Sequence, residues 1–454
     1  MENLKTNRRD FFKSSALGVL GTVSMPAILG SCSSNTSSAV AADSRLNNMV
    51  LPVFFDEAPD GKPLKAGLVG CGGRGSGAAE DFLAAGNGLQ ITAIGDVFPD
   101  KMNACRELLK AKGSEIADQN CFVGFDAYKK VIDSGVDVVL LATPPLFRPE
   151  HFEYAISKGK HCFIEKPAAV DPTGIRQVLM TSKKATQMGL SVVSGTCLRS
   201  SKNGMEIYKR VAQGEIGEIV SAHVTRLGNS LWHRKREPGW SDMEYMLRNW
   251  TSFCRTSGDF IVEMFVHEID QLFWFLGERT PVSVQATGGR QRRITGDMYD
   301  HFSMTFVYDD GMRAHCTSRQ MDGCGDAMGV FVYGTKGYAD PRGNKMYNRD
   351  GSILWEAPAR KRDDPPLPKS HNIMVQEHMR FVNAIRTDKP INEAQSLAYS
   401  TLMAIMGRES AYSGKFITWD QAMASTQDLS LGKYEFGPIP GFSEEIPLAG
   451  IAAV

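Results

Sequence analysis

The sequence predicts an α/β protein with a doubly wound parallel sheet in its N-terminal half and an α+β domain after it. Between residues 64 and 194, short apolar runs alternate with helical stretches. This alternation is typical of a parallel sheet with helices on both faces. After residue 219, runs of alternating polarity follow one another with turns between them. Such runs are typical of antiparallel strands that have one buried face.

Composition and charge narrow the class of protein. The chain has 454 residues, of which 42% are hydrophobic, and this length allows two to four domains. Lys+Arg and Asp+Glu number 51 each, so no overall basic field indicates a nucleic-acid partner. The cysteines are scattered without a C-x-x-C pair, and neither they nor the nine histidines show zinc-ligand spacing. We therefore predict no nucleic acid and no metal.

The N-terminus has the pattern of an export signal. Arg8 and Arg9 precede an apolar run over residues 16–29, and small residues lead from there to Cys32. This order is that of a signal peptide, and the paired arginines resemble a twin-arginine signal. Leu29-Gly30-Ser31-Cys32 resembles a lipobox, which would place a lipid on Cys32. The alternative is a plain cleaved signal in which Cys32 is incidental.

These features predict an exported, periplasmic protein that touches the membrane only through a lipid on Cys32. Residues 1–31 would be removed as the signal peptide. Residues 32–62 are rich in serine, alanine and asparagine, so we predict a tether there.

The first predicted strand ends in a dinucleotide-binding pattern. Gly70-x-Gly72-x-x-Gly75 follows the strand at residues 64–69 and opens a helix, and the next strand ends in Asp96. Gly70 permits the tight turn, Gly72 lets the backbone approach a diphosphate, and Gly75 lets helix and strand pack closely. Asp96 would accept hydrogen bonds from ribose hydroxyls and repel a 2′-phosphate, which favours NAD over NADP. Gly73 and Arg74 complete the turn, and the alternative is a glycine turn in an unrelated α/β unit.

The alternation continues to residue 194 and completes the predicted dinucleotide-binding domain at residues 63–195. Strands are predicted at residues 137–143, 161–164 and 190–194, with helices at 149–159 and 171–188 between them. Ligands of such sheets bind beyond the carboxyl ends of the strands. Thr143, Pro144 and Lys166 lie at such ends.

Several motifs together resemble the Gfo/Idh/MocA family of oxidoreductases. They are Glu165-Lys166-Pro167 after a strand, Ala142-Thr143-Pro144-Pro145 with His151, Gly214 to Ile219, and Gly334-Thr335-Lys336-Gly337. The resemblance covers residues 63–425, and Arg248-Asn249-Trp250 with Asp300-His301 resembles the exported branch. It implies a Rossmann domain in which His151, Glu165 and Lys166 join the cofactor-binding set.

For the second domain, residues 196–454, the resemblance implies a large open, mostly antiparallel sheet that binds substrate and forms a homodimer or homotetramer. The sequence predicts strands at residues 219–226, 282–288, 301–308, 312–319 and 329–334. Asp309-Asp310-Gly311 predicts a hairpin turn between two of them. Helices are predicted at residues 373–385 and 393–412.

The resemblance also implies the reacting groups, a lysine and an Asp-x-x-x-His pair. The lysine is Lys166, and the pair here is Glu263 and His267, with glutamate in place of aspartate. On one helix, positions i and i+4 share a face, so we expect both side chains in one pocket. His267, held by Glu263, would remove a hydroxyl proton, and Lys166 would hydrogen-bond the same oxygen while hydride passes to NAD.

Aromatic residues beside charged donors suggest a carbohydrate substrate. The predicted substrate-binding residues are Arg199, Trp232, His233, Tyr245, Arg255, Asp300 and His301. Residues 234–236 are interpreted as a solvated charge run. The alternative for most of these residues is a purely structural role.

The predicted function is oxidation of a secondary alcohol in a sugar or glycoside, as in C3 oxidation to a 3-keto glycoside. Export in the folded state would carry NAD along, so the cofactor should be tightly bound and recycled in place. The first alternative is an NAD-dependent glycoside hydrolase that oxidises C3 transiently. The second is a non-catalytic sugar-binding lipoprotein.

Overall fold

The computed structural model describes residues 53–361 and 364–450. The predicted signal peptide, Cys32 and most of the predicted tether lie outside the described residues. Within the described residues, no helix has the length and apolar character needed to cross a membrane.

The N-terminal half forms a six-stranded parallel sheet, sheet A, as predicted. Its strands are β1 (Leu64–Val69), β2 (Leu89–Asp96), β3 (Cys121–Val123), β4 (Val138–Leu141), β5 (His161–Ile164) and β6 (Val192–Ser194). The strand order is β3-β2-β1-β4-β5-β6. The order reverses between β1 and β4, and such a reversal opens a crevice at the carboxyl ends of the strands.

Helices cover both faces of sheet A. They are α1 (Gly73–Ala84), α2 (Pro99–Ala111), α3 (Ala127–Asp133), α4 (Arg148–Ser157) and α5 (Pro172–Gln187). All four residues of β4 are buried, which explains its continuous apolar sequence. Helix α5 begins after Asp171, whose carboxylate accepts a hydrogen bond of 2.7 Å from the backbone N–H of Gly174.

The second half forms a nine-stranded sheet, sheet B. Its strands are β7 (Ile219–Gly228), β8 (Ser283–Gly289), β9 (His301–Val307), β10 (Arg313–Gln320), β11 (Ala327–Gly334), β12 (Gly337–Asp340), β13 (Lys345–Asn348), β14 (Ile353–Glu356) and β15 (Ile417–Thr418). The order is β14-β13-β12-β11-β7-β10-β9-β8-β15. Only the β7–β10 pair is parallel, so the predicted mostly antiparallel sheet is confirmed. The predicted hairpin joins β9 to β10.

The remaining helices surround sheet B or return to sheet A. They are α6 (Lys202–Ala212), α7 (Asp242–Arg248), α8 (Cys254–Ser257), α9 (Phe260–Glu263), α10 (Val266–Phe275), α11 (Ile373–Arg386), α12 (Ala394–Ser413) and α13 (Trp419–Ala424). Helix α12 packs on sheet B through β8, whereas α11 packs against α1. Phe381 and Val382 of α11 share a hydrophobic core with Leu68 of β1. The C-terminal region therefore contributes to the core beside sheet A as well as to sheet B.

Candidate active site

The turn between β1 and α1 has the shape that a dinucleotide requires. Gly70 has a φ of +95°, and a Cβ on Gly75 would lie 1.8 Å from the carbonyl oxygen of Gly70. A Cβ on Gly72 or Gly73 would instead meet no atom within 4 Å. The turn therefore leaves an open cradle at the N-terminus of α1, where backbone N–H groups favour a phosphate. The residues present fit a bound dinucleotide.

A cavity of about 380 Å³ extends from this turn. It is lined by the predicted residues Gly70, Gly72, Gly73, Arg74, Gly75, Asp96, Thr143, Pro144, His151 and Trp232. The ends of β1, β2 and β4 thus converge on one site, as parallel strands do at a crevice. Trp232 comes from the loop between β7 and α7, so the second half of the chain also forms a wall of the cavity.

Asp96 is held by the backbone of the turn. Its carboxylate oxygens accept hydrogen bonds from the N–H groups of Cys71, at 2.7 Å, and Phe98, at 2.8 Å. Burial raises the pKa of Asp96, and these hydrogen bonds oppose that effect. Each carboxylate oxygen keeps a second lone pair, so Asp96 can also accept hydrogen bonds from ribose hydroxyls.

His151 supports Thr143 at the cavity wall. The His151 Nδ1 lies 3.3 Å from the Thr143 Oγ1, and the ring stacks on Tyr128 with 4.0 Å between centroids. Burial lowers the pKa of His151 to about 3. The ring is therefore neutral near pH 7 and acts as a hydrogen-bonding support for the wall.

Lys166 and Glu263 form a nearly buried ion pair. The Lys166 Nζ donates to the Glu263 Oε1 at 2.9 Å and to the Glu263 carbonyl oxygen at 2.6 Å. The side chains are 11% and 9% exposed. Beside this pair, the Glu165 Oε1 accepts a hydrogen bond of 2.7 Å from the Nε of the cavity residue Arg74. Glu165 thus links the glycine turn to the residue next to it in the chain, Lys166, although neither Glu165 nor Lys166 lines the cavity.

The geometry of Glu263 and His267 differs from the prediction of one continuous helix. Helix α9 ends at Glu263 and α10 begins at Val266. Between them the Phe265 N–H bonds the carbonyl of Phe260, five residues back, which interrupts the regular i→i−4 pattern. The prediction that Glu263 holds His267 is wrong in this structure, because the carboxylate pairs with Lys166 instead.

His267 is a neutral imidazole in this structure. Its Nδ1 is buried and has no hydrogen-bond partner among the described residues. Burial, followed by the positive charges of Lys166 and Arg226, lowers its pKa well below the ordinary value. The ring is therefore unprotonated near pH 7.

Two of the predicted substrate residues, Arg199 and Arg255, bond to other parts of the protein. Arg199 forms two hydrogen bonds of 2.8 Å with Asp270 and also pairs with Glu278. Arg255 donates to backbone carbonyls at residues 429 and 430. Their guanidinium groups therefore hold the fold together, and neither residue lines the cavity.

Four further predicted substrate residues also lie outside the cavity lining. Asp300 accepts hydrogen bonds from three consecutive backbone N–H groups, at residues 291–293, and from the Nδ1 of His301. Tyr245 is buried against aromatic rings, and His233 is exposed. Asp300 thus organises a loop, and only Trp232 of the predicted substrate set reaches the cavity.

Most of the aromatic residues that line the cavity were not predicted from the sequence. Phe98, Phe125, Tyr128, Phe147 and Trp250 line the cavity, together with the cations Lys101, Arg234 and Arg248. Phe125 follows β3, a three-residue strand that the sequence pattern does not reveal. The signal that could have identified this part of the wall is Gly124, which has a φ of +117° beside Phe125.

Comparison with known proteins agrees with this geometry. The family profile described as "Oxidoreductase family, NAD-binding Rossmann fold" matches residues 64–193. The profile "GFO/IDH/MocA C-terminal domain" matches residues 205–340. Together the two matches cover more than half of the chain.

Individual relatives are distant. The inositol 2-dehydrogenase of Rhizobium meliloti is 26% identical over 278 residues, covering 60% of this chain and 74% of that protein. A glycosyl hydrolase family 109 protein of Solibacter usitatus is 28% identical over 250 residues, covering 54% of this chain and 52% of that protein. The chain thus spans about half the length of that second relative.

A solved structure shows the same fold. Scyllo-inositol dehydrogenase from Lactobacillus casei, with bound NAD(H) and scyllo-inositol, superposes with a TM-score of 0.59 at 21% identity. The match covers 78% of this chain and 99% of that one.

Proposed function

The chain belongs to the GFO/IDH/MocA family of NAD-binding oxidoreductases, and from this premise we propose that it oxidises a secondary alcohol of a sugar or glycoside. The observation that carries the proposal is that Lys166 pairs with Glu263 and has its charge close enough to act on His267. None of these three residues lines the dinucleotide cavity itself. Lys166 follows β5, and its chain neighbour Glu165 pairs with Arg74 of the glycine turn.

We assign the proton chemistry to two side chains, Lys166 and His267. A lysine ammonium has three N–H donors, and Lys166 gives two of them to Glu263. The third donor is left to bind the substrate hydroxyl and to stabilise negative charge as it develops on that oxygen. The neutral His267 accepts the hydroxyl proton. When bound, NAD supplies the acceptor for the carbinol hydride.

Glu263 acts in this scheme as a positioning residue. Its carboxylate accepts a hydrogen bond of 2.9 Å from the Lys166 Nζ and so holds the lysine side chain in one orientation. The chain has glutamate where the family pattern has aspartate, and both its carboxylate and its backbone carbonyl accept hydrogen bonds from Lys166. Lys166 and Glu263 therefore act together in the proposed reaction.

The cofactor is proposed to be NAD rather than NADP. Asp96 places a fixed carboxylate at the end of β2, where a 2′-phosphate would meet like charge. The carbohydrate class is supported by the inositol dehydrogenase relative and by Trp232 in the cavity wall, since an aromatic face covers the apolar face of a sugar.

The test begins with the protein purified without added cofactor. Its absorbance is recorded from 300 to 400 nm before and after addition of glucosides, galactosides, inositols and free sugars. We expect a reduced-nicotinamide band near 340 nm that a keto-sugar then removes. Absence of released dinucleotide on denaturation, together with no band when NAD and every sugar are added, would overturn the proposal.

A second candidate is an NAD-dependent glycosidase that oxidises C3 transiently and returns the hydride. It is supported by relatives named glycosyl hydrolase family 109 proteins, one of them 33% identical over 173 residues. The same three side chains would serve both reactions. Release of free sugar from a glycoside without net NADH formation identifies the glycosidase, and NADH without bond cleavage identifies the dehydrogenase.

We also propose export and lipid attachment at Cys32, which rest on the N-terminal sequence. Membrane fractionation of wild type and Cys32→Ala tests them, and equal distribution would contradict the lipid anchor. A homodimer or homotetramer is proposed through sheet B, where Tyr333, Tyr338 and Tyr347 form a partly exposed row of rings in contact. Light scattering that gives a monomer mass would contradict it.

A further inference from the structure

The second half of the chain contributes positively charged side chains to the wall of the dinucleotide cavity. Four cationic side chains line the cavity within the described residues, namely Arg74, Lys101, Arg234 and Arg248. Arg74 pairs with Asp81 and Glu165. Arg248 pairs with Asp100 and Glu244. Two of the four cations are thus already neutralised by carboxylates.

The other two cations differ in their neighbours. Lys101 lies near Asp96, and its charge lowers the pKa of that carboxyl against the larger effect of burial. Arg234 makes no ion pair with any described residue, and its guanidinium lies 5.8 Å from the centroid of the Trp232 ring. Arg234 is therefore a cavity-lining positive charge without a carboxylate partner in the described chain.

The backbone of Arg234 is fixed even though its side chain is exposed. The Arg234 N–H donates to the Asn249 Oδ1 at 2.6 Å, and the Asn249 Nδ2 donates back to the Arg234 carbonyl at 3.2 Å. Asn249 is fully buried and also donates to the Tyr245 carbonyl. These two hydrogen bonds anchor the backbone of the loop between β7 and α7 at Arg234. The loop therefore keeps this arginine at the cavity wall and loses little conformational entropy when a ligand binds.

The charge of the expected ligand matches this arrangement. In NAD the negative charge is confined to the diphosphate. The glycine turn supplies backbone N–H groups and the partial charge of the α1 N-terminus, and its cation Arg74 is already paired with two carboxylates. A guanidinium binds phosphate oxygens through paired N–H donors.

We propose that Arg234 is a cofactor-binding residue that neutralises the diphosphate of the bound dinucleotide from the second half of the chain. This inference rests on the proposed NAD dependence. It makes the loop between β7 and α7 part of the cofactor site, so the dinucleotide joins the sheet A and sheet B halves of the site.

The test compares Arg234→Gln with Lys235→Gln. Lys235 is the adjacent residue, is exposed and does not line the cavity, so its variant controls for loss of one positive charge in the same loop. Affinities for NAD, ADP-ribose and adenosine are measured by titration calorimetry. ADP-ribose contains the diphosphate and lacks nicotinamide, whereas adenosine lacks the diphosphate.

We expect Arg234→Gln to weaken both NAD and ADP-ribose about ten- to a hundredfold, the usual effect of losing a charged hydrogen bond. Adenosine should bind unchanged, and Lys235→Gln should stay within about twofold of wild type for every ligand. Arg234→Lys should recover part of the loss, because it restores charge but not the fork of donors.

Three results would overturn the inference. They are an unchanged ADP-ribose affinity in Arg234→Gln, an equal loss in Lys235→Gln, and a parallel loss for adenosine. Failure of the wild-type protein to bind NAD would instead refute the proposed function. The two failures are therefore distinguishable.

Discussion

The pair formed by Lys166 and Glu263 allows the structural and chemical roles of one lysine to be separated. In Lys166→Met the carboxylate of Glu263 loses the one ion-pair partner it has among the described residues, in a site where both side chains are about one-tenth exposed. The Glu263 carbonyl also loses its 2.6 Å hydrogen bond. Breaking a buried pair from one side costs about 3–5 kcal/mol, so the single variant should be strongly destabilised as well as inactive.

The double variant Lys166→Met with Glu263→Gln should behave differently. It removes both charges, and replacing a whole buried pair is often nearly neutral for stability. We therefore expect the double variant to recover most of the lost free energy of unfolding while remaining inactive, because no ammonium remains to bind the substrate oxygen.

The assay combines equilibrium unfolding in urea with the 340 nm measurement on the same preparations. Glu263→Gln alone completes the cycle, and its interaction free energy with Lys166 should be several-fold larger than the median of about 0–1 kcal/mol for surface pairs. Two results would refute the reasoning. A stable Lys166→Met would show that the pair is not coupled to folding, and an active double variant would show that Lys166 does not bind the reacting oxygen.

Three further predictions concern the fold and the cofactor. His378 is buried between two phenylalanine rings with its pKa lowered to about 3, so the native state excludes a proton that the unfolded chain binds below about pH 6.5. As the pH falls from 8 to 5, the free energy of unfolding of the wild type should therefore drop by about 2 kcal/mol relative to that of His378→Leu. Urea unfolding at both pH values measures this change, and a constant difference between the two proteins would contradict it. Gly72→Ala should fold normally yet bind NAD at least about tenfold more weakly, since its Cβ enters the open cradle, whereas Gly75→Ala should not fold. Phe436 packs on two aromatic residues of the cavity wall, Phe98 and Phe125. Phe436→Ala should therefore speed NAD dissociation severalfold in stopped-flow measurements. An unchanged rate would show that the C-terminal segment does not help to retain the cofactor.

The elements that the sequence predicted well are those set by local backbone physics. The strand at residues 161–164 and the helix at residues 373–385 follow from apolar periodicity, and the structure places them within one residue. The glycine turn was predictable because only glycine tolerates the φ of Gly70 and the close approach at Gly75. Asp96 followed from its position at the end of the next strand.

Other features were decided by tertiary structure. The partner of Glu263 is Lys166, 97 positions away, rather than the nearby His267. Helix α9 ends at Glu263 and α10 begins at Val266, so the two residues do not lie on one continuous helix. Arg199 carries a charge suited to a ligand, yet it pairs with a buried aspartate.

The sequence by itself therefore determined the type of fold, the dinucleotide turn and the identity of the lysine that follows β5. Only the tertiary structure decided which charges pair with each other and which remain available to a ligand, as with Lys166 and Arg234. The physical reason is that periodicity and glycine sterics act over a few residues of backbone. The pairing of buried charges depends instead on desolvation and on contacts between segments distant in the chain.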